Sequence, residues 1–285
     1  MTSAVADAGR PSAEQRRRLS GPRSVGAASL FDRILPDAVV TAAATADDPA
    51  PEVSLGPGPE PGWLARAVPS RRAEFATTRR CAQRALSAFG LGHATVGRGS
   101  RGEPLWPEGF VGSLTHCHGY RAAAVARARS AAGIGIDVEP HSQLPTGVAR
   151  LTASDAECRQ LDRRCATDPQ IHWRTVFFSA KEAIFKAWYP LTRCELRFRE
   201  VVLSVAADGT FSGRILHPAA DVMPTGDVIS GTWLVMDELI CTAVVVEPQS
   251  TAGSGVGPPP AIGPPVVSGR LSLSSDEPKS GPVAL

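Results

Sequence analysis

The eight residues from Gly133 to Pro140, Gly-Ile-Gly-Ile-Asp-Val-Glu-Pro, constrain this chain more than any other stretch. A strand alternates its side chains, so Ile134, Ile136 and Val138 go to one face and Gly135, Asp137 and Glu139 to the other. The apolar face belongs to a core. The opposite face holds two carboxylates roughly 7 Å apart along the strand, beside a glycine that lets a neighbouring group approach the backbone. Taken alone, the stretch fits either a half-buried strand with a solvated acidic face or a site for a hard cation. What decides between them lies elsewhere in the chain.

The chain has 285 residues, 43% of them hydrophobic, enough for one large domain or two smaller ones around a buried core. The formal charge is +2 and the basic residues form no dense run, which argues against a nucleic-acid groove. No stretch reaches the ~18 apolar residues of a membrane span, and no apolar run of signal-peptide length opens the chain. The six cysteines lie far apart with no Cys-x-x-Cys pair. Neither a zinc ribbon nor a redox motif is therefore expected, and reduced thiols of a soluble cytoplasmic protein are.

Residues 1–27 are polar and aperiodic and read as a disordered tail; residues 248–285, rich in Pro, Gly and Ser, read as another. The folded body between them divides at the Pro- and Ser-bearing connection His141 to Thr146 into halves 28–140 and 141–247. Folding is expected to begin near Leu30, with an irregular loop from Thr45 to Pro61. Ser70 reads as the N-cap of a helix reaching about Phe89, stopped by Gly90 and Gly92, with Phe75, Cys81 or Ala82, Ala85, Leu86 and Phe89 as its apolar side. Arg71, Arg72 and Arg79 share a sector of that helix, either as a solvated face or as a phosphate clamp, which guanidinium forks suit. Gly97 to Glu103 is a flexible loop carrying Arg98 and Arg101, and Pro104 to Gly109 is a turn. Val111 to Tyr120 sets a small polar cluster ahead of a strand or helix over Ala122 to Ala126. His116, Cys117 and His118 are too close in sequence for a zinc set, which leaves His116 as a hydrogen-bonded structural group or a ligand contact.

In the second half, Asp168-Pro169 reads as a helix start and Pro190 as its stop. Between them Trp173, Val176, Phe177, Ala180, Ala183, Ile184 and Ala187 recur at three- and four-residue steps and form a buried stripe. The other side carries Phe178, Lys181, Glu182, Phe185, Lys186 and Tyr189. Ser179 and Glu182 have the spacing of a capping box, but the apolar stripe runs straight through that point. Glu182 and Lys186 also have the spacing of an ordinary surface pair, worth about 0.2–0.5 kcal/mol. Yet only three of the 30 basic residues are lysine, and two of the three, Lys181 and Lys186, stand on this helix. Lysine is a compact charge that can give up a proton, which a proton-transfer site requires and a surface pair does not. Downstream, Val201, Leu203 and Val205 before Asp208-Gly209, with Phe211 to Leu216 after it, form one expected hairpin. Trp233 to Val246, turning near Asp237, forms another.

Gly135-Ile-Asp-Val-Glu139, followed by Phe178-Ser-Ala-Lys-Glu-Ala-Ile-Phe-Lys-Ala-Trp188, resembles the paired signature of the 4′-phosphopantetheinyl transferases of the Sfp and enterobactin-synthetase class. Trp106-Pro107 with Gly112-Ser-Leu-Thr-His116 is similar to the preceding motif of that family, and Arg71-Arg-Ala-Glu-Phe75 to its earlier helix. The resemblance spans residues 65 to 195 or so, in the right order, and is closest to actinobacterial members. It implies an α+β fold of two similar halves forming a pseudo-dimer, with the active site in the cleft between them. It implies transfer of the phosphopantetheine arm of coenzyme A to a serine of apo acyl or peptidyl carrier proteins, with release of 3′,5′-ADP and with Mg2+. The enzyme would be a monomer serving polyketide, fatty acid or non-ribosomal peptide synthesis.

The same resemblance assigns roles. Asp137 and Glu139 would hold the magnesium. Glu182 would be a third ligand or the base that takes the serine proton, and Lys186 would neutralise or protonate the departing phosphate. Lys181 would contact phosphate nearby. Ser113 and His116 would meet the pyrophosphate and the 3′-phosphate region, and Arg71, Arg79 and Arg101 the adenosine phosphate. Many relatives carry lysine at position 101, and some place a third acid at 138, where water would take that coordination position here. Phe185 and Tyr189 would line the pantetheine channel or meet the carrier, Tyr189 fitting a core role equally well. Two other readings use the same residues: a magnesium-dependent phosphohydrolase acting on coenzyme A or the modified carrier, and a non-catalytic coenzyme A-binding protein. The first lacks a dedicated water-activating set, and the second has no need of Lys186 together with three acids.

Overall fold

The computed structural model describes residues 28–47, 62–145, 147–148 and 152–249. The expected tails, apart from Pro248 and Gln249, and most of the Thr45 to Pro61 loop lie outside the described residues. The helices are α1 (Gly62–Ala65), α2 (Pro69–Ser87), α3 (Asp155–Thr167) and α4 (Trp173–Thr192). The strands are β1 (Val40–Ala44), β2 (Gly97–Arg98), β3 (Pro104–Leu105), β4 (Phe110–Cys117), β5 (Tyr120–Arg127), β6 (Gly133–Pro140), β7 (Val201–Val205), β8 (Thr210–Ile215), β9 (Val228–Met236) and β10 (Leu239–Val246). They form a three-stranded sheet ordered β1-β5-β4, a five-stranded sheet ordered β6-β10-β9-β8-β7, and the short ribbon β2-β3, paired antiparallel throughout. Helices laid on antiparallel sheets are the α+β class expected from the sequence.

Each larger sheet carries one long helix. α2 lays Cys81, Ala82, Ala85 and Leu86 on Val40, Ala42, Ala123 and Val125 of the three-stranded sheet. Its N-cap is Val68 rather than Ser70, because Pro69 suits the first helical turn and holds the residue before it extended, at φ −62° and ψ 151°. Gly90, at φ 81°, supplies the left-handed turn after the helix.

α4 buries the expected stripe, Trp173 to Ala187, against Leu203, Phe211, Ile229, Ile240 and Val244 of the five-stranded sheet. It begins later than Asp168-Pro169 indicated. Asp168 instead ends α3, its amide donating to the Arg164 carbonyl, and its own carbonyl accepts from Trp173 Nε1 at 2.9 Å. α4 also passes Pro190 and closes on Arg193 in the left-handed conformation, φ 57°. A proline in the last turn forfeits one hydrogen bond without a following turn to disrupt. α3 buries only Glu157 and Leu161 and so has too little apolar periodicity to be read from sequence. Both expected hairpins are present, β7-β8 and β9-β10, the second turning through Asp237 and Glu238 at φ 52° and 60°.

β6 behaves as its alternation predicts. Ile134, Ile136 and Val138 are fully packed with Phe31, Tyr120, Ala122 and Ala124. Its ladder partner is β10, so by hydrogen bonding the strand goes with the second half, although the connection taken to separate the halves follows it. Its other edge faces β4, the edge of the three-stranded sheet. There Ser113 Oγ accepts from the Ile136 amide at 3.1 Å and Thr115 Oγ1 from the Val138 amide at 3.0 Å. Two hydroxyls thus satisfy backbone donors that no ladder reaches. The opposite face of β6 meets α4. A Cβ on Gly135 would stand 1.8 Å from the Ala183 carbonyl oxygen, so only glycine admits the helix this close. No helix among the described residues is long and apolar enough to cross a membrane.

Candidate active site

The close approach of α4 to β6 brings four of the expected residues together: Asp137, Glu139, Glu182 and Lys186. Asp137 is buried, and its Oδ1 accepts from Lys186 Nζ at 2.7 Å. The same ammonium donates to the Ile136 carbonyl at 3.2 Å, and Thr115 Oγ1 donates to Asp137 Oδ1 at 3.4 Å. Asp137 Oδ2 is buried with no hydrogen-bond partner. A desolvated carboxylate oxygen without a partner is costly, and a cation is one way to satisfy it.

Glu139 and Glu182 lie in the same field. Burial pushes the Glu139 carboxyl up to about 8, with the charge of Asp137 adding, Lys186 opposing and Glu182 adding a little more. Burial likewise pushes Glu182 up to about 7, Asp137 adding and Lys186 opposing. Three carboxylates close enough to disfavour one another's charge, beside one ammonium, make an environment that a divalent cation would relieve. Among the described residues no three His, Cys, Asp or Glu side chains are grouped closely enough to hold a metal ion by themselves. Val138 is buried on the far face of the strand and does not join the acids.

His116, near the end of β4, adjoins this group. Its Nε2 accepts from Arg71 Nη1 at 2.6 Å, and Glu74, which accepts from Arg71 at 2.6 Å, stands 3.5 Å from His116 and from Arg121. Burial brings His116 down to about 4, with Glu74 opposing and the charges of Arg71 and Lys186 assisting. The ring is therefore neutral at pH 7, as an acceptor for Arg71 must be. Ser113 gives a lone pair to the Ile136 amide and keeps its hydroxyl hydrogen to donate.

Arg79 lies deeper than Arg71 on the same helix. It is buried, its Nε donating to the Val96 carbonyl at 3.1 Å and its guanidinium lying over Phe75, so it braces the base of the Gly97 to Glu103 loop. Arg101, further along the loop, is exposed and ion-paired with Glu195 beyond α4. Phe185 and Tyr189 pack together, ring centroids 6.0 Å apart, partly against the core.

Lys181 is the correction. It is 1% exposed, and its ammonium is bound to Glu157 Oε1 at 2.8 Å and to the Thr152 and Phe198 carbonyls at 2.8 and 2.9 Å. Three donors meet three acceptors, which leaves none for a phosphate. Glu157 also accepts from the Ser154 and Leu203 amides, so this ion pair ties α3, α4 and β7 together. Thr115 and Glu74 are the reverse case: both lie within the quoted motifs without a role assigned there, yet they contact Asp137 and His116. Besides the motif, the signal for Thr115 is its place two residues from Ser113 on the same strand face. The Trp106-to-Gly112 spacing is packing: the indole fills the space of a Cβ at Gly112 and donates to its carbonyl at 3.0 Å.

An acidic strand, a Glu-Lys pair on the helix packed against it and an Arg-His cluster at the facing edge suit an α+β enzyme that acts on a phosphorylated substrate. Residues 60–126 match the 4′-phosphopantetheinyl transferase N-terminal domain family, and residues 133–244 match the 4′-phosphopantetheinyl transferase superfamily. The chain is 46% identical over 226 residues to the 4′-phosphopantetheinyl transferase Svp of Streptomyces mobaraensis, covering 78% of this chain and 92% of that protein. It is 39% identical over 225 residues to PptT of Mycobacterium tuberculosis (76% of this chain, 98% of that protein) and 40% identical over 191 residues to Npt of Nocardia iowensis (64% and 85%). The chain belongs to the 4′-phosphopantetheinyl transferase superfamily and is an enzyme of that class. The two family matches meet just ahead of β6, in keeping with the pairing of that strand.

Proposed function

We propose that this enzyme transfers the phosphopantetheine arm of coenzyme A to a serine of apo acyl or peptidyl carrier proteins, releasing 3′,5′-ADP. The observation that carries the reading is the junction of Asp137 with Lys186 and Glu182 across the β6-α4 contact, in a chain of this family. The two halves, 28–140 and 141–247 with β6 at their seam, act as a pseudo-dimer around a cleft. In support, each half has an antiparallel sheet bearing one long helix. A monomer suits such a pseudo-dimer, and a reducing cytoplasm suits six free thiols.

The donor set fits magnesium, which takes oxygen ligands and needs few of them from protein when substrate phosphates supply the rest. Asp137, with its unpartnered Oδ2, and Glu139 would hold it, Glu182 joining them. When bound, it would neutralise charge on the diphosphate. Catalysis by the chain's own residues is mainly positioning and charge stabilisation. As the serine oxygen bonds to the β-phosphorus, the bond from that phosphorus to the oxygen of 3′,5′-ADP breaks. Lys186, fixed by Asp137 and the Ile136 carbonyl, faces the departing phosphate and neutralises it. Glu182, ionised beside the cation, accepts the serine proton. Arg71, His116 and Ser113 bind phosphate oxygens at the seam, and Arg101 holds the adenosine phosphate from its loop. Arg79 serves by bracing that loop.

The test is mass spectrometry of several apo carrier proteins after incubation with the full chain, coenzyme A and Mg2+, with Glu182→Ala as the control. The expected result is a carrier heavier by one phosphopantetheine with the native enzyme and an unmodified carrier with the variant. Free phosphopantetheine beside an unmodified carrier would mean hydrolysis and overturn the reading.

A further inference from the structure

Glu103 has no part in the chemistry above, yet its side chain is only 10% exposed. It folds back on its own loop. Oε2 accepts from the Arg101 amide at 3.0 Å, and the Glu103 carbonyl accepts from the Gly99 amide at 2.8 Å. Oε1 accepts from Arg193 Nη1 at 3.2 Å, and Arg193 is the left-handed C-cap of α4, the helix that bears Glu182 and Lys186. The seat for this carboxylate exists because residue 99 lacks a side chain: a Cβ on Gly99 would lie 2.2 Å from the carboxyl group. One carboxylate therefore fastens the loop to the end of the helix, and Arg101 reinforces the join by pairing with Glu195.

We propose that Glu103 is a positioning residue, seated on Gly99, which fixes the backbone at Arg101 and clasps it to α4 so that the loop cation and the catalytic helix address one substrate in a set relation. This rests on the reading of Arg101 as the anchor for the adenosine 3′-phosphate. The Arg193 side chain is 63% exposed, so its pair with Glu103 adds little to global stability and the variants should fold. What the clasp changes is the order of the loop before substrate arrives, and a looser loop loses more freedom on binding.

The test compares kcat/KM for coenzyme A and for 3′-dephospho-coenzyme A with one apo carrier protein and the full chain. Arg101→Ala should reduce the preference for coenzyme A about tenfold, as loss of one charge-assisted hydrogen bond does. Glu103→Gln and Gly99→Ala should each reduce it about three- to fivefold through KM, with kcat within about twofold, and the double variant should go no further because both act on one seat. Gly99→Ala displaces only the free end of a side chain, so it reads out even where Glu103→Gln fails to fold. If Arg101→Ala lowers the preference while Glu103→Gln and Gly99→Ala leave it intact, the clasp is refuted and the anchor stands. Additive effects in the double variant refute the shared seat. An unchanged preference in Arg101→Ala removes the anchor and this proposal with it.

Discussion

Glu139 and Glu182 sit in the fold with carboxyls raised to about 8 and about 7, against an ordinary value of 4.5. A carboxyl raised on folding favours the folded state most below its unfolded value, and that contribution is lost as pH rises through the folded one. Without a cation these two groups therefore cost stability progressively between the mid-acid range and pH 8. A divalent cation binds the ionised forms and reverses the loss. Mg2+ should raise the thermal unfolding midpoint by several degrees at about pH 8.5 and far less at about pH 5.5. Equal shifts at the two values, followed by differential scanning fluorimetry, would count against these carboxylates as its ligands. At this scale the acidic strand was fully legible, since a period of two assigns faces without knowledge of any partner. The scarcity of lysine was half legible: it marked Lys186 for the site, whereas Lys181, five residues earlier, is spent on a buried ion pair.

At the scale of elements, that second lysine explains its own illegibility. Its partner Glu157 comes from α3, whose sequence is polar and whose helix shows in the fold through a Ser154 capping box rather than through an apolar stripe. With α3 unseen, nothing in the α4 sequence separated a phosphate ligand from a structural cation. Lys181→Met should destabilise the protein by about 3–5 kcal/mol in denaturant titration, because it strands Glu157 in the interior. Adding Glu157→Gln should recover part of the loss. A Lys181→Met variant of native stability with a raised KM for coenzyme A would instead return this residue to the substrate. The helix boundaries erred for local reasons: Pro69 outranked Ser70 as the start signal, and Pro190 fell in a last turn that tolerates it. The hairpins read well because Asp208-Gly209 and Asp237 signal their turns without tertiary help.

For the whole molecule, the question is how a carrier protein is received. Arg197 and Arg199 are exposed just beyond α4, and carrier domains commonly present acidic helices. Reversing both charges with Arg197→Glu and Arg199→Glu should raise KM for an acidic carrier about five- to tenfold at low salt, leaving KM for coenzyme A unchanged. Steady-state kinetics at two ionic strengths would check it, and an unchanged carrier KM would move the dock elsewhere. The meeting of β4 and β6 was not legible, because a hydroxyl that caps another sheet's amide leaves no mark on either strand's periodicity.

That meeting has a consequence for how the protein fails. Each of the two strands is the raw margin of its own sheet and faces the other, the β6 amides being met by side-chain oxygens at Ser113 and Thr115. Partial melting of either half therefore lays bare a strand with unfilled amides, a template on which further copies can assemble by strand addition. Heat-stressed material should accumulate as β-rich aggregates well before the helices are lost.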